Sequence, residues 1–335
     1  MAGAALLEIR RNLWRARKLV HYLSGTSYHN APQGVGKAFE PGVLNGYFND
    51  LTAKTRWSGA ADPAGLPLTQ TDTGQVFHFP IMLFQLALGH WDLWLLSARG
   101  DAAHRARFLR IADWAAANLD AKDGWACWHL LDRGEIASPY SSMAQGQGLS
   151  VLARAYALTG EERYRAAAQR AFAPLVDESS PLLMNRRLDG HLVFEEYPGA
   201  TFPAVLNGWI FTLFGLYDYG LAIDEAEARA PLEESLAGLL ALLPRYDTGA
   251  WSLYDLAGNL AGPFYHRLHS AQLQALAMAF PAHEAAIGPF ILRFQRYERS
   301  WLCRARAILK KIWQKLRMRG VAEIMPAALA AKNNP

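Results

Sequence analysis

From residue 81 onward the hydrophobic positions recur at helical spacing and in a repeating order. Residues 81–98 read as an apolar helix, and Asp101 can cap a second that reaches Leu119. Residues 143–158 form the next, Gly160 breaks it, and 161–175 follow; 204–221 and 225–243 make a third pair, and a last helix begins near His269. Each pair leads into a turn-bearing connection, such as Asp123-Gly124-Trp125, Asp189-Gly190-His191 or Asp247-Thr248-Gly249, with a period of about sixty residues. The first helix of each pair is apolar nearly all round, and the second carries Arg, Glu and Ala on one side. Buried inner helices inside a half-exposed outer set follow from that contrast. The expected fold is mainly α: an incomplete α/α toroid of about three and a half pairs, with β-hairpins at its mouth and a smaller β-containing N-terminal part.

The connections at one end are long. Residues 182–188 and 191–195 flank Asp189-Gly190, a strong two-residue hairpin signal, and 125–131 with 135–137 suit another around Asp132-Arg133-Gly134. Tyr197, Tyr246, Tyr254 and Tyr265 each fall in what reads as a short non-helical passage near this mouth. Before residue 81 the helical period is lost. Residues 1–24 read as a basic helix, 25–80 as turns and short strands, 81–285 as the toroid with its cleft, and 286–335 as a basic amphipathic tail.

Charge changes the picture only at the ends. The net charge is +4, yet residues 293–319 hold ten Lys or Arg against Glu298 alone, interleaved with Tyr297, Trp301, Ile308, Ile312, Trp313 and Leu316. Such a segment lies on a membrane surface or an anionic polymer, or docks one face on the body with its charges solvated. Arg10, Arg11, Arg15, Arg17 and Lys18 pose the same choice. Cys127 and Cys303 make no disulfide framework, and no apolar run approaches the ~18 residues of a membrane span. The expectation is a cytoplasmic chain without a targeting segment, peripheral to membrane if the tail engages one.

Several chemistries lack their residues. Gly34-Val35-Gly36-Lys37-Ala38 is missing the first Gly and the Ser/Thr of a phosphate loop. Gly146-Gln147-Gly148 follows no evident strand, so its expected task is close helix approach. Cys127-Trp128-His129 is isolated, and no Gly-x-Ser-x-Gly elbow occurs. Glu195, Glu196, Asp247 and Asp255 fall in the mouth loops, where they serve either as acid–base carboxylates or as hydrogen-bond braces for the backbone. The tyrosines are the sharper signal. An unperturbed tyrosine titrates near pH ~10, so a base needs a nearby cation to lower that value. Arg245 and Arg267 adjoin Tyr246 and Tyr265; aromatics lining a sugar platform or the core are the alternative.

Taken in order, Ser141-Ser142-Met143-Ala144-Gln145-Gly146-Gln147, Glu195-Glu196-Tyr197-Pro198, Val205-Leu206-Asn207-Gly208, Leu216-Tyr217-Asp218, Tyr246-Asp247-Thr248-Gly249, Leu253-Tyr254-Asp255-Leu256 and Tyr265-His266, with His269, Gln272, Leu273 and Gln274, form a set. The set resembles the C-terminal domain of the D-glucuronyl C5-epimerases, which act on heparosan and heparan sulfate precursors; the likeness covers about residues 138–278, with a weaker one at 75–95. The resemblance implies catalytic roles for Glu196, Tyr197, Tyr254 and Tyr265, and a cleft for an acidic polysaccharide lined by Asn207, Tyr246 and His266. The family has an arginine two residues beyond the aspartate of Tyr-Asp-Leu, where this chain has Ala257. Arg245, Arg267, Arg186 or Arg187 is then expected to meet the uronate carboxylate.

Epimerisation at C5 removes a proton α to a carboxylate, so the developing charge needs a facing cation or neutral acid, and inversion needs proton carriers on opposite ring faces. Tyr254 and Tyr265 are the expected carriers, with Glu196 and Tyr197 orienting the sugar. A uronate lyase shares the first step, and a catalytically inactive uronate-polymer-binding protein is the non-enzymatic alternative. No organic cofactor and no nucleic acid are expected; a divalent cation and a homodimer are admitted without being required.

Overall fold

The computed structural model describes residues 31–317 and 324–326, except 58, 72–73, 128–136 and 200–202, with side chains described as far as Gln314. It is mainly helical. The α-helices are α1 Pro80–Leu96, α2 Ala102–Ala117, α3 Ser142–Thr159, α4 Glu162–Val176, α5 Leu206–Ala222, α6 Glu225–Leu242, α7 Pro263–Ala279, α8 Glu284–Arg299 and α9 Trp301–Arg317. Helices α1, α3, α5 and α7 pack on one another in that order, and α2, α4, α6 and α8 each lie against the partner that precedes them. The first set is buried almost all round, the second along one stripe.

Small residues let the inner helices close up. A Cβ on Gly146 of α3 would sit 2.6 Å from the Thr212 Cα of α5, and one on Gly215 would sit 2.2 Å from the Gly146 carbonyl oxygen. Backbone meets backbone here, so no side-chain rotation could make room. A buried ion pair adds orientation: Arg154 of α3 reaches Asp218 of α5 at 2.5 Å and also donates to the Ser150, Asn45 and Gly46 carbonyls. Asp92 of α1 accepts from the Tyr47 amide at 2.9 Å, tying the N-terminal loop to the same spot.

Strands are few and short. β1 Thr69–Thr71 pairs antiparallel with β2 Val76–Phe77, and β3 Asn185–Leu188 with β4 His191–Phe194 across the Asp189-Gly190 turn. Both turn residues have positive φ, 51° and 84°, as a tight right-twisted hairpin demands. An additional strand, β5 Ile324–Pro326, pairs with the other edge of β1 and joins the two ends of the chain. The basic helix expected over 1–24 and the hairpin around Asp132-Arg133-Gly134 lie outside the described residues.

Two expectations need correction. The last inner helix begins at Pro263, not near His269, because Gly262-Pro263 supplies an extended N-cap and a proline at N1. Tyr265, His266 and Arg267 therefore belong to its first turns, not to a loop. As far as residue 317 the tail is two helices, broken at Ser300, whose backbone is extended, and β5 lies beyond them.

Candidate active site

Strand β4 runs straight into Glu195 and Glu196, and neighbouring residues of an extended chain point to opposite sides. Glu195 turns inward. Its Oε1 accepts from the Ala204 amide at 3.1 Å, its Oε2 is buried without a partner among the described residues, and burial pushes its carboxyl up to about 8. Glu196 faces the first turn of α5, where Asn207 Nδ2 donates to its Oε2 at 3.5 Å. A carboxylate is well placed against the positive end of a helix dipole. The approach depends on Gly208, since a Cβ there would lie 2.6 Å from Glu196 Oε2 and 2.7 Å from its Cβ. Buried Cys127 lies on the other side; its thiol is pushed up by burial and then by the Glu196 charge.

The loop before α7 brings the second half. The Leu206 amide donates to the Tyr254 carbonyl at 3.0 Å and the Leu256 amide to the Pro203 carbonyl at 2.7 Å, so the start of α5 and the tyrosine loop are stitched together. Tyr254 hydrogen-bonds Tyr197, and its ring meets that of Tyr265 edge to face with centroids 4.9 Å apart. Burial first, and then the nearby Glu196, Tyr197 and Tyr265, push the Tyr254 phenol well above the ordinary tyrosine value. The structure thus brings Glu196, Tyr197, Tyr254 and Tyr265 into one cluster. Gln272 of α7 closes it below, donating to the Asn207 carbonyl at 3.1 Å, while Gln272 Oε1 and Asn207 Oδ1 are buried acceptors without partners among the described residues.

Other expected site residues are engaged elsewhere. Tyr246 is fully buried and its hydroxyl donates to the Ala204 carbonyl at 2.6 Å. His266 stacks on Trp251 at 3.7 Å; its Nδ1 accepts from the Ser252 amide, which leaves Nε2 to donate to the Phe294 carbonyl at 2.9 Å. Burial holds that imidazole down to about 4, so it is neutral. Both residues brace the wall. Asp255 accepts from the Asn259 amide and side chain, and Asp247 accepts from the Gly249 amide and pairs with Arg293, so these aspartates are loop braces as well.

Arg245 does act on its sequence neighbour, the buried Tyr246, but its guanidinium is paired on the surface and it is not among the charges acting on Tyr254. Arg245 pairs with Asp189 at 2.7 Å on the surface, Arg187 with Glu178 and Glu234, and Arg267 with Glu298 at 3.7 Å. Arg186 stays near the site, donating to the Gly199 carbonyl, with its charge felt by Glu195. A second cation arrives from a distant helix. Lys311 of α9 places Nζ 5.9 Å from the centre of the Tyr254 ring, and its charge is felt by Asp255. Gln314, on the same side of α9, donates to the Gly258 carbonyl and accepts from the Leu260 amide, so this helix roofs the loop that holds Ala257. The only sequence signal for Lys311 was its place in an amphipathic basic helix, and nothing there says which loop it meets.

Residues 129–286 match the family model described as D-glucuronyl C5-epimerase C-terminus. That stretch is similar to the C-terminal part of the D-glucuronyl C5-epimerases. The chain is 34% identical over 198 residues to the D-glucuronyl C5-epimerase of Caenorhabditis elegans, a match covering 52% of this chain and 32% of that protein. An uncharacterized protein of Methanocaldococcus jannaschii is 32% identical over 136 residues, 39% of this chain and 44% of the other. The chain thus spans under half the length of either relative. All four residues of the Glu196–Tyr254 cluster lie inside the matched stretch, whereas Lys311 and Gln314 lie beyond its end.

Proposed function

We propose that the chain inverts C5 of D-glucuronate residues within an acidic polysaccharide, giving L-iduronate, by proton removal and return at the Glu196–Tyr197–Tyr254–Tyr265 cluster. The observation that carries this reading is the convergence of two acid–base types, a buried glutamate and three partly buried phenols, within the stretch that matches the epimerase C-terminus. The helices around it are read as an incomplete α/α toroid, with the cluster at its mouth.

Tyr254 keeps its proton at neutral pH, because its environment disfavours the phenolate. It therefore enters as the donor. The acceptor is Glu196, whose residue type has the lower ordinary pKa, acting with Tyr197. This differs from two tyrosines facing each other across a sugar: rings in edge contact at 4.9 Å leave no space for a pyranose between them. Tyr265 then positions Tyr254 and offers its own hydroxyl from the same wall. Charge building on the uronate carboxylate is met by Lys311 and Arg186, in place of the arginine that Ala257 replaces. Asn207 Oδ1 and Gln272 Oε1 are acceptors for sugar hydroxyls.

Incubation of the full chain with heparosan and its N-sulfated form in deuterated water, read by NMR at uronate C5, tests the reading. Deuterium at C5 together with iduronate signals is the expected result. An unsaturated, ultraviolet-absorbing product would make it a lyase, and polymers left unchanged across uronate types would overturn it.

A further inference from the structure

Helix α9 is mounted with its apolar face outward. At 100° per residue, Trp301, Ile312, Ala305, Leu309, Leu302 and Trp313 fall in one unbroken arc of roughly 120°. Trp301 is 74% exposed, Leu309 67%, Leu302 55% and Trp313 50%. What the helix turns toward the body is its narrow side, with buried Ala307 flanked by Cys303, Lys311 and Gln314. Exposed Arg306 and Lys310 border the apolar arc on one edge and exposed Arg304 on the other, and no acidic residue occurs anywhere in the helix. An ordinary surface helix has the reverse arrangement, apolar side in and charges out.

We propose that α9 docks the protein on an anionic lipid bilayer, lying in the plane of the interface. An apolar arc with tryptophan at each end and a basic border is the pattern that seats a helix at the headgroup–acyl boundary. The charges meet anionic headgroups and the arc enters the acyl margin, so every part of the exposed side finds a partner of matching chemistry. The competing occupants fit less of it. An acidic polysaccharide would satisfy the arginines and lysines and leave two tryptophans and two leucines in water. A second copy of this chain, pairing the same face about a two-fold axis, would bring two wholly cationic borders together. Spanning is excluded for this helix by its 17 residues and its repeated charges.

The inference does not depend on the proposed reaction, although it has a consequence for it. The inner side of α9 carries Lys311 and Gln314 onto the candidate site, so docking would set that site's mouth beside the membrane surface.

The test is flotation of the full chain with vesicles of phosphatidylcholine alone and of phosphatidylcholine mixed with phosphatidylglycerol. Binding to the mixed vesicles at least about tenfold tighter than to the neutral ones is expected, weakened by salt. The double variant Leu302→Glu/Leu309→Glu, both positions being exposed, should lose at least about tenfold in that affinity and keep its thermal unfolding temperature. Arg306→Glu/Lys310→Glu should remove the preference for anionic lipid. Absence of vesicle binding by the wild-type chain, or equal binding by the leucine variant, would overturn the proposal. So would a wild-type dimer in solution that the leucine variant disperses, which would assign the face to a second copy.

Discussion

The protein holds two polar clusters, one fully buried around Arg154 and one partly buried around Tyr254, and they are built on opposite principles. Around Arg154 the charge is matched: the guanidinium meets Asp218 at 2.5 Å and three backbone carbonyls, and α3, α5 and the 45–47 loop all converge on it, although Tyr47 Oη, Asp92 Oδ2 and Ser150 Oγ beside it are buried without hydrogen-bond partners among the described residues. Around Tyr254 the elements are open: a glutamate and three phenols gather with the Lys311 ammonium 5.9 Å from the Tyr254 ring centre, and Asn207 and Gln272 present buried acceptors without partners among the described residues. A network built round a matched charge fixes geometry. An unsaturated one retains acidity, proton capacity and hydrogen-bonding valence for something else, which is what chemistry at an α-carbon requires. What separates the two, beyond depth, is whether the fold has already matched the charge that each cluster holds.

The contrast can be broken first at its closed end. Arg154→Met removes the cation and leaves Asp218 buried and uncompensated, for a loss of about 3–5 kcal/mol in chemical denaturation. Catalysis per folded molecule should survive wherever the variant still folds. Gly208→Ala acts on the open end through sterics. Alanine is the better helix former by about 1 kcal/mol, but a methyl 2.7 Å from Glu196 Cβ outweighs that, so a net loss of about 1–3 kcal/mol is expected. Turnover should fall with it, because Glu196 is displaced.

Lys311→Gln sharpens the contrast by removing the cation over Tyr254. A fall of about tenfold in kcat/KM, equivalent to about 1.4 kcal/mol, is expected with thermal stability unchanged. A loss confined to stability would return Lys311 to a structural role. The smallest effect concerns Glu195, whose carboxyl is raised from 4.5 to about 8 by burial. The folded state holds this proton more tightly than the unfolded one, so its contribution is complete below the ordinary value and drains away as pH rises through about 8. Glu195→Gln mimics the protonated form and should flatten the decline of unfolding temperature between neutral and mildly alkaline pH. The acid side is governed otherwise: His266, held down to about 4, destabilises the fold as pH falls below its ordinary 6.5 in either protein.

Much of this was legible in the residues. The alternation of fully apolar and amphipathic helices sorted α1, α3 and α5 from α2, α4 and α6, because burial writes periodicity directly into a helix. Asp189-Gly190 specified its hairpin through the φ values it permits, and Gly146 its close helix contact. The misses have physical reasons. Gly262-Pro263 is a helix start, but reading Tyr265-His266 as a loop concealed it; a proline at N1 looks locally like a turn. Arg245 was among the arginines expected to meet the uronate carboxylate, yet its charge is felt by the buried Tyr246 and its guanidinium follows the exposed face of its turn to Asp189. Lys311 and the β1–β5 pairing depend on which distant surfaces meet, and no local pattern encodes that. The tail's amphipathic character was plain, whereas the direction in which it faces depends on the loop that receives Gln314.

Replacement of Tyr254 by phenylalanine tests the central claim most directly. Deuterium entry at uronate C5 would be followed by NMR for wild-type and Tyr254→Phe proteins on the same glucuronate polymer, alongside their unfolding temperatures. The account predicts exchange lowered by about 10²–10⁴-fold at an unfolding temperature close to wild type, since one hydroxyl is lost from an otherwise intact wall. Exchange retained at the wild-type rate in a folded Tyr254→Phe protein would contradict it, and would remove the open cluster from the chemistry.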